Sequence, residues 1–299
     1  FSWNTTLTLS HNKNSVKALT GEAVQLYEAK FGFNQNTHRI AVGEPLGQFY
    51  GYITEGLYQV DDFNYDASTQ TYTLKDGIPY HGDKGQIRPG MWKFKNLTGD
   101  DNVIDENDKT VIGNAQPKFY GGLNNSFTYK GFDLSIFLTF SYGNEVLNAT
   151  KLVTSKVGSL NYNALDVMNS SNRWMTINSD GQKVTDPGEL AALNAGKTVA
   201  AYHDAQQGDN YIHSWAVEDA SYLKLSNVTL GYTFPKNLIA RVGLKNLRLY
   251  ATGNNLLTWT KYSGFDPEVS TMKSGLTPGV DFGAYPLSRS FIFGLNVAF

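Results

Sequence analysis

The acidic stretch from Asn96 to Asp108 has residue types that could hold a metal ion. It places side-chain oxygens at alternating positions and ends on a carboxylate, which suits a hard cation such as Ca²⁺. Compared with the calcium-loop pattern D-x-[DN]-x-[DN]-G it has one extra residue, and Asn102 stands where glycine is expected. The alternative is a turn rich in asparagine and aspartate that binds no metal. If calcium binds, the predicted oxygen donors are Asn96, Asp101, Asp105 and Asp108.

No other residues form a catalytic or cofactor-binding pattern. The chain has no cysteine, which excludes a thiolate zinc site, and no nucleophile elbow, phosphate-binding loop or dinucleotide motif. We therefore predict that the protein is not an enzyme and has no cofactor beyond the calcium ion. A barrel enzyme is a minor alternative that would take its base from His203 or His213. Carboxylates on predicted loops, such as Asp61, Asp62 and Glu268, are expected to be solvated.

Composition and charge narrow the class of protein. Basic and acidic residues nearly balance, for a net charge of -2, so the basic face typical of nucleic-acid-binding proteins is not expected. The chain has 18 Tyr, 17 Phe and 29 Gly, a composition that favours strands over helices. The longest uncharged apolar stretch, 134–144, is too short for a membrane-spanning helix. We therefore expect an all-β protein without a nucleic-acid partner.

Apolar residues alternate with polar ones along several segments, which is the pattern of a strand with two different faces. In the clearest segment, 132–142, every even-numbered residue is apolar or aromatic. Between 223 and 234 the phase of the alternation changes near Ser226 and Asn227, as a β-bulge would cause. A further hairpin is expected within 22–43. The predicted strands are 1–10, 45–58, 118–129, 131–143, 221–234, 246–260 and 289–299.

The lengths of these strands and of their connections favour a membrane barrel. The strands have about 10 to 14 residues, close to the length of a tilted transmembrane strand. Short turns at 130–131 and 235–245 alternate with the long connections 60–117, 146–220 and 262–288, as periplasmic turns alternate with extracellular loops in outer-membrane barrels. Aromatic girdles are predicted at the two rims, with Tyr129, Phe132, Phe234 and Phe299 at one and Tyr142, Trp259 and Tyr262 at the other.

A closed barrel needs more strands than this chain supplies. Bacterial barrels have an even number of strands, and lipid does not tolerate an open sheet edge. The seven predicted strands are therefore expected to be completed by an N-terminal remainder of the barrel. The polar face of the strands would then line a hydrated lumen or contact what fills it. The candidate lumen-facing residues are Asp133, Lys224, Arg248, Tyr250 and Asn254.

A series of short motifs follows along nearly the whole chain. They are Gly47-Gln-Phe-Tyr-Gly-Tyr52, Gly56-Leu-Tyr-Gln59, Asp105-Glu-Asn-Asp-Lys-Thr-Val-Ile-Gly113, Lys130-Gly-Phe-Asp-Leu-Ser135, Glu218-Asp-Ala-Ser-Tyr-Leu-Lys-Leu225, Leu230-Gly-Tyr-Thr-Phe-Pro235, Leu247-Arg-Leu-Tyr250, Asn254-Asn-Leu-Leu-Thr258 and Tyr262-Ser-Gly-Phe-Asp-Pro-Glu268. In this order they resemble the C-terminal part of the SusC/RagA family of TonB-dependent outer-membrane transporters. Each motif alone is weak evidence, but their number and order are specific.

The resemblance implies a fold, a location and partners. The fold would be a transmembrane barrel of about 22 strands, of which residues 1–299 are the C-terminal portion, without the N-terminal plug domain and the first strands. The location would be the outer membrane of Bacteroidetes, in contact with its lipid. The partners would be TonB, acting through the N-terminal region, and a SusD-like surface lipoprotein that closes over the mouth. The implied activity is energy-coupled import of oligosaccharides or peptides.

A secreted β-sandwich that binds glycans or acts as an adhesin is the alternative function. Alternation of this kind also arises in any soluble antiparallel sheet with one wet face. In a sandwich the apolar faces of two sheets would pack on each other, and the loops would bind the ligand.

Overall fold

A computed structural model describes residues 1–21, 23–27, 35–99, 101–155, 163–201, 211–271 and 274–299. Within them the strands are β1 (Ser2–Ser10), β2 (Val24–Tyr27), β3 (His38–Ala41), β4 (Gln48–Gly51), β5 (Thr54–Leu57), β6 (Phe63–Asp66), β7 (Thr71–Leu74), β8 (Tyr80–His81), β9 (Trp92–Phe94), β10 (Val103–Ile104), β11 (Thr110–Asn114), β12 (Phe119–Tyr129), β13 (Phe132–Tyr142), β14 (Glu145–Asn148), β15 (Val217–Asp219), β16 (Tyr222–Thr233), β17 (Asn246–Thr260), β18 (Val280–Asp281) and β19 (Ser290–Ala298).

The helices are short. The α-helices are α1 (Ala149–Thr154), α2 (Pro187–Leu193) and α3 (Lys236–Ile239), and single 3₁₀ turns lie at Val60–Asp62, Lys84–Gln86, Glu106–Asp108, Asp166–Met168, Ser214–Ala216 and Ala240–Val242. Among the described residues, no helix has both the length and the apolar character needed to cross a membrane.

Six strands form one antiparallel sheet in the order β1-β12-β13-β16-β17-β19, here called the large sheet. Its longest strand, β17, has 15 residues. A two-residue turn joins β12 to β13, and both Lys130 (φ 46°) and Gly131 (φ 90°) are in the left-handed region. Turns of this kind match the right-handed twist of the strands they connect, so the hairpin closes without distortion.

The register of the large sheet gathers apolar side chains on one face. Leu138 of β13 lies directly opposite Leu123 of β12 and Leu225 of β16. Nothing in the described residues covers this face: Trp3 is 63% exposed and Phe293 is 81% exposed. A continuous apolar surface of this kind marks contact with lipid or another apolar partner.

The sandwich alternative disagrees with this arrangement. It required the apolar face to be buried against a second sheet, yet Leu7 and Leu9 of β1 are 63% and 64% exposed. The other sheets within the described ranges lie in a separate unit built from the long connections. The sandwich prediction is therefore wrong.

The predicted bulge in β16 is confirmed. The register against both β13 and β17 shifts between Leu225 and Asn227, which leaves Ser226 as the extra residue. On β17 the pairing changes at the same level, where Asn255 has a φ of 52°. Because of the bulge, Lys224 and Asn227 lie on the same polar face, although an unbroken strand would place them on opposite faces.

The predicted strand 45–58 is wrong as a member of the large sheet. It forms two short strands, of which β4 pairs with β3 and β11 and β5 pairs with β9. The hairpin expected within 22–43 exists as β2 and β3, although residues 28–34 and residue 22 lie outside the described ranges. The large sheet therefore has six strands rather than seven, and the first long connection is 11–118 rather than 60–117.

The three long connections, 11–118, 144–220 and 261–289, fold together into what we call the loop unit. One buried cluster joins Phe49, Leu147 and Val280, one residue from each connection. The apolar residues of 45–58 therefore contribute to the core of the loop unit rather than to a lipid-facing side. All three connections leave the large sheet at the strand ends opposite the turn at 130–131, so the loop unit lies at one end of the sheet.

Substituting Gly90 tests the packing of the loop unit. Its φ of 88° is left-handed, and a Cβ there would overlap the indole ring of the buried Trp174. We expect Gly90→Ala to lower the free energy of unfolding by about 2–4 kcal/mol, since it adds overpacking to backbone strain. Denaturant unfolding followed by tryptophan fluorescence measures the loss.

Gly77 is the matched control for this experiment. It has a similar φ of 81°, but no atom lies within 4 Å of its added Cβ. Gly77→Ala should therefore cost only about 1 kcal/mol, from the backbone alone. Equal losses in the two variants would contradict the packing argument.

Candidate functional site

The polar face of the large sheet carries an ion pair near the short-turn end. The guanidinium of Arg248 donates two hydrogen bonds to the carboxylate of Asp133, from Nε to Oδ1 at 3.0 Å and from Nη2 to Oδ2 at 2.6 Å. It also lies 5.0 Å from the centre of the Tyr250 ring, within range of a cation–π contact. The two charged side chains are partly exposed, so water or a polar ligand can still reach them.

Two glycines make room for this cluster. Gly231 lies between Asp133 and Tyr250 in the register, and a Cβ there would come within 2.5 Å of Nη2 of Arg248 and Oδ1 of Asp133. Gly294 lies opposite Tyr250 on β19, and a Cβ there would overlap the phenol ring. The absence of a side chain at both positions lets the three larger side chains extend across the neighbouring strands. The structure thus brings together three of the five predicted lumen-facing residues.

Asn254 lies further along the same face, in a row of uncharged polar groups. Its Oδ1 accepts a hydrogen bond from Asn227 at 2.8 Å, and its Nδ2 donates one to Ser290 at 3.0 Å. In the adjacent row the hydroxyls of Thr229 and Thr252 are 2.9 Å apart. These groups satisfy one another across the strands, so this part of the face is polar without carrying a net charge.

Lys224 also lies on the polar face, but the loop unit covers it. Its ammonium forms ion pairs with Glu268 and, at 3.7 Å, with Asp266, and its side chain is only 4% exposed. The hydroxyl of Tyr222 donates to Oε1 of Glu268 at 2.5 Å. Glu268, which was expected to be solvated, is 38% exposed and also pairs with Lys224. Lys224 is held by protein groups rather than free for a ligand.

The pairing of Lys224 with Glu268 was not evident from composition or spacing. Both residues belong to motifs that carry the family resemblance, 218–225 and 262–268. The presence of both motifs in one chain was the only indication in the sequence that the two residues could be in contact. Asp62, also expected to be solvated, forms a partly buried ion pair with Lys93 at 3.2 Å.

A cleft of about 380 Å³ lies where the polar face meets the loop unit. Aromatic rings, hydroxyls, an amide and carboxylates line it, which is a suitable mixture for a hydrogen-bonding ligand. The sheet contributes Tyr120, Ser141 and Tyr222, and the loop unit contributes Asn144, Glu145, Pro267 and Glu268, among others.

The predicted calcium donors lie in the loop unit, where several of their oxygens already accept hydrogen bonds. Oδ1 of the buried Asp108 accepts from the backbone N–H groups of Leu97 and Thr98, and Oδ2 accepts from that of Asp105. Burial opposes ionisation of Asp108, but these hydrogen bonds hold its pKa below the usual range. Among the described residues, which leave out residue 100, no group of three acidic, histidine or cysteine side chains could hold a metal ion. Calcium binding by Asn96, Asp101, Asp105 and Asp108 stays a prediction.

His213 is a core residue and not a base at the rim. Burial, and after it the nearby Lys151 and His81, lower the pKa of His213 to about 3, so the ring is neutral at physiological pH. A neutral ring enclosed in this way cannot reach a ligand, and the alternative that used His213 as a base is wrong. His203 lies outside the described residues. The ring of His213 packs against the aromatic side chains of Trp92, Phe94 and Trp215.

Among the residues of the predicted girdles, Tyr262 is misplaced. It is buried in the loop unit, and its hydroxyl donates to Asp281 at 2.6 Å. Burial, followed by this hydrogen bond, raises the pKa of the Tyr262 phenol well above its usual value. At the same rim Tyr142 and Trp259 are exposed, as an interface position requires.

Comparison with known proteins relates the whole chain to larger receptors. It is 33% identical over 306 residues to TonB-dependent receptor P3 of Formosa agariphila, and 26% identical over 312 residues to TonB-dependent receptor SusC of Bacteroides thetaiotaomicron. Each match covers 100% of this chain but only 27% and 24% of the respective relative. The chain thus spans about a quarter of the length of the curated relatives it matches. No protein-family model matches it.

Solved structures also match this chain along nearly its whole length while extending well beyond it. The RagAB peptide transporter superposes with a TM-score of 0.62 and 21% identity, covering 99% of this chain and 27% of that chain. The RagAB peptide importer in its closed-closed state gives a TM-score of 0.64 at 20% identity, with the same coverage. At this identity the likeness establishes the fold, and the large sheet is a segment of a large antiparallel barrel.

Two buried histidines should make the protein less stable below pH 7. The folded pKa of His213 is about 3 and that of His38, also lowered by burial, is about 4, against 6.5 for the free side chain. Between these values the unfolded chain binds protons that the folded chain does not, so stability falls as pH drops through 6.5. We expect each histidine to cost about 2 kcal/mol at pH 5 relative to pH 7.

The variant His213→Phe isolates one of these contributions. Urea unfolding at pH 5 and pH 7 should differ by about 2 kcal/mol less in this variant than in the wild type. The same pH difference in H213F as in the wild type would contradict the assignment of a neutral, buried His213.

Proposed function

Since the chain is a SusC/RagA-like segment of a TonB-dependent receptor, similar along its whole length to the C-terminal part of that family, we propose that it contributes six strands to an outer-membrane barrel that imports nutrients. The proposed substrates are oligosaccharides or peptides. The observation that carries the proposal is the large sheet, with one uncovered apolar face, one polar face and two open edges.

The open edges support a barrel that further strands close. Within the described residues β1 pairs only with β12, and β19 only with β17. An open edge in lipid would leave backbone N–H and C=O groups without partners, at several kcal/mol for each. An N-terminal remainder of the same protein, including a plug, would supply the strands that pair with both edges.

The polar face supports a hydrated interior. Four of the candidate residues would line the lumen or contact the plug: Asp133, Arg248, Tyr250 and Asn254. The fifth, Lys224, instead forms ion pairs with the loop unit. Paired amides and hydroxyls along the middle of this face offer hydrogen bonds to a substrate without a strong binding site.

The charge of the loop unit supports a neutral or cationic substrate. Its three connections carry more acidic than basic residues, which disfavours polyanions through long-range repulsion. Neutral oligosaccharides and peptides both meet this condition. The solved relatives are described as peptide transporters, which adds support for peptides.

The proposed partners are TonB, acting through the N-terminal region, and a SusD-like lipoprotein that closes over the loop unit. The loop unit supports the second partner because it packs around its own buried clusters and so presents a fixed surface. Tyr285 and Phe265, at 90% and 77% exposed, are aromatic side chains of the kind that anchor protein interfaces.

Uptake and co-purification test the proposal. We expect the intact protein to be extracted from outer membranes only with detergent, together with a surface lipoprotein. Deleting its gene should abolish uptake of labelled oligosaccharides or of labelled peptides, and removing TonB should have the same effect. A species that remains in the soluble fraction without detergent, or unchanged uptake of both substrate classes, would contradict it.

A charge placed on either face of β13 tests the orientation of the barrel wall. Leu138 faces the apolar side and Ser135 the polar side. Leu138→Arg in the intact protein should lower the free energy of unfolding in lipid by about 2–4 kcal/mol, the cost of a cation near the bilayer midplane. Ser135→Arg should cost clearly less, and urea titration in phospholipid vesicles compares the two. A larger loss in S135R than in L138R would reverse the assignment of the faces.

A further inference from the structure

The connection 261–289 lies over the polar face of the large sheet, and Lys224 fastens it there. Lys224 belongs to β16, with Thr139 and Thr258 opposite it on the neighbouring strands. Its ammonium pairs with Glu268 and Asp266, both from the connection. Sheet and connection are therefore joined by a cluster of one cation and two carboxylates.

We propose that Lys224 is a positioning residue that holds the segment 261–271, here called the strap, across the mouth of the lumen as a fixed constriction. The inference rests on the proposed barrel function and adds a role for this segment within it. The strap does not move aside when substrate enters; it sets the width of the passage.

Burial makes the cluster a strong tie. The side chain of Lys224 is 4% exposed and that of Asp266 is 13% exposed, so solvent screens their attraction poorly. Tyr222 adds a hydrogen bond to Glu268, and its ring lies 5.6 Å from the ammonium. The side chain of Glu268 is 38% exposed, so the buried member of the pair of carboxylates is Asp266. Removing the cation would leave Asp266 partly buried without its partner, next to a second carboxylate that repels it.

Further ties join the strap to the loop unit. The backbone N–H and the hydroxyl of Ser263 donate to Glu218, each at 2.9 Å, and Glu218 in turn pairs with Lys151 at 3.1 Å. Tyr262 donates to Asp281 within the connection itself. Loss of Lys224 would thus leave the strap attached to the loops, with the hydrogen bond from Tyr222 to Glu268 as its remaining tie to the polar face among the described contacts.

The bulge next to Lys224 determines the face of the sheet on which this side chain lies. Because Ser226 is an extra residue, Lys224 points to the polar face at the level where β16 meets the loop unit. The strap then forms one wall of the cleft at the seam, where Pro267 and Glu268 face Tyr120 and Ser141. The position of the strap therefore determines both the width of the mouth and the shape of this cleft.

The experiment compares substitutions of Lys224 in the intact transporter. Lys224→Met removes the charge at similar length, Lys224→Arg keeps it, and Lys84→Met removes the cation of an exposed ion pair in the loop unit as a matched control. Two quantities are measured on each purified, inserted barrel: the rate of proteolytic cleavage within 261–289, and the ion conductance in planar bilayers after the plug is unfolded with urea.

We expect K224M to be cleaved at least tenfold faster within 261–289 and to conduct at least twice the wild-type current, with K224R close to wild type and K84M unchanged. If K224M inserts as a barrel and shows the cleavage rate and conductance of the wild type, the proposed role of the strap is wrong. A wild-type protein that forms no barrel would instead contradict the proposed function, so the two failures are distinguishable.

A second measurement decides the matter if K224M does not insert. The 299-residue chain has no cysteine. The double variant Tyr222→Cys and Glu268→Cys therefore places one thiol on the sheet and one on the strap, and a short bismaleimide can join the two thiols. Cross-linking above 80% with uptake retained would support a strap that stays in place during transport. Loss of uptake on cross-linking, regained without the reagent, would show that the strap must move and would overturn the proposal.

Discussion

The large sheet depends on one constraint, the satisfaction of backbone hydrogen bonds between strands that must show two different faces. Because successive side chains point to opposite sides, a strand that keeps its register separates its apolar and polar residues completely. The row of Leu123, Leu138 and Leu225 on one side and the row of Asp133, Gly231 and Tyr250 on the other follow directly from that register. A shift by one residue would place Arg248 or Asp133 on the lipid side. The hairpin at Lys130 and Gly131 fixes the register of its two strands. Each further strand pairs with a strand whose register is already set, so its faces are set as well.

The same constraint explains why the glycines and the bulge lie where they do. Large polar side chains on neighbouring strands of the polar face crowd one another, and Gly231 and Gly294 relieve the crowding around Arg248 and Tyr250. The bulge at Ser226 performs a different task, because it turns Lys224 to the polar face without changing the lipid-facing row below it. Both features are departures from an ideal strand, and each lies beside a charged residue.

How far the sequence predicts the structure differs between the two parts of the molecule. The ends of the strands in the large sheet, and the position of the bulge, were predictable to within one or two residues. A strand with lipid on one side alternates apolar and polar residues almost without exception, and this alternation can be seen in the local sequence. The loop unit was not, because its contacts join distant segments. Segment 45–58 was predicted as a strand of the barrel wall, yet Phe49 is buried against Leu147 and Val280. The burial of His213 and the ion pair of Glu268 were not predicted for the same reason, since nothing near them in the sequence indicates which distant residues they contact.

Charge is distributed unevenly along the polar face, and that distribution bears on transport. The ion pair of Asp133 and Arg248 lies near the short turns, and the cluster around Lys224 lies at the opposite end, beneath the loop unit. Between them the face carries hydroxyls and amides that already pair with one another, such as Asn227 with Asn254. A passage that bound its substrate strongly along the whole length would release it slowly, since movement through a pore requires sites that are weak and several. In the proposed barrel, fixed charges therefore define the two ends of this wall, and the neutral stretch between them lets a polar substrate exchange one hydrogen bond for the next.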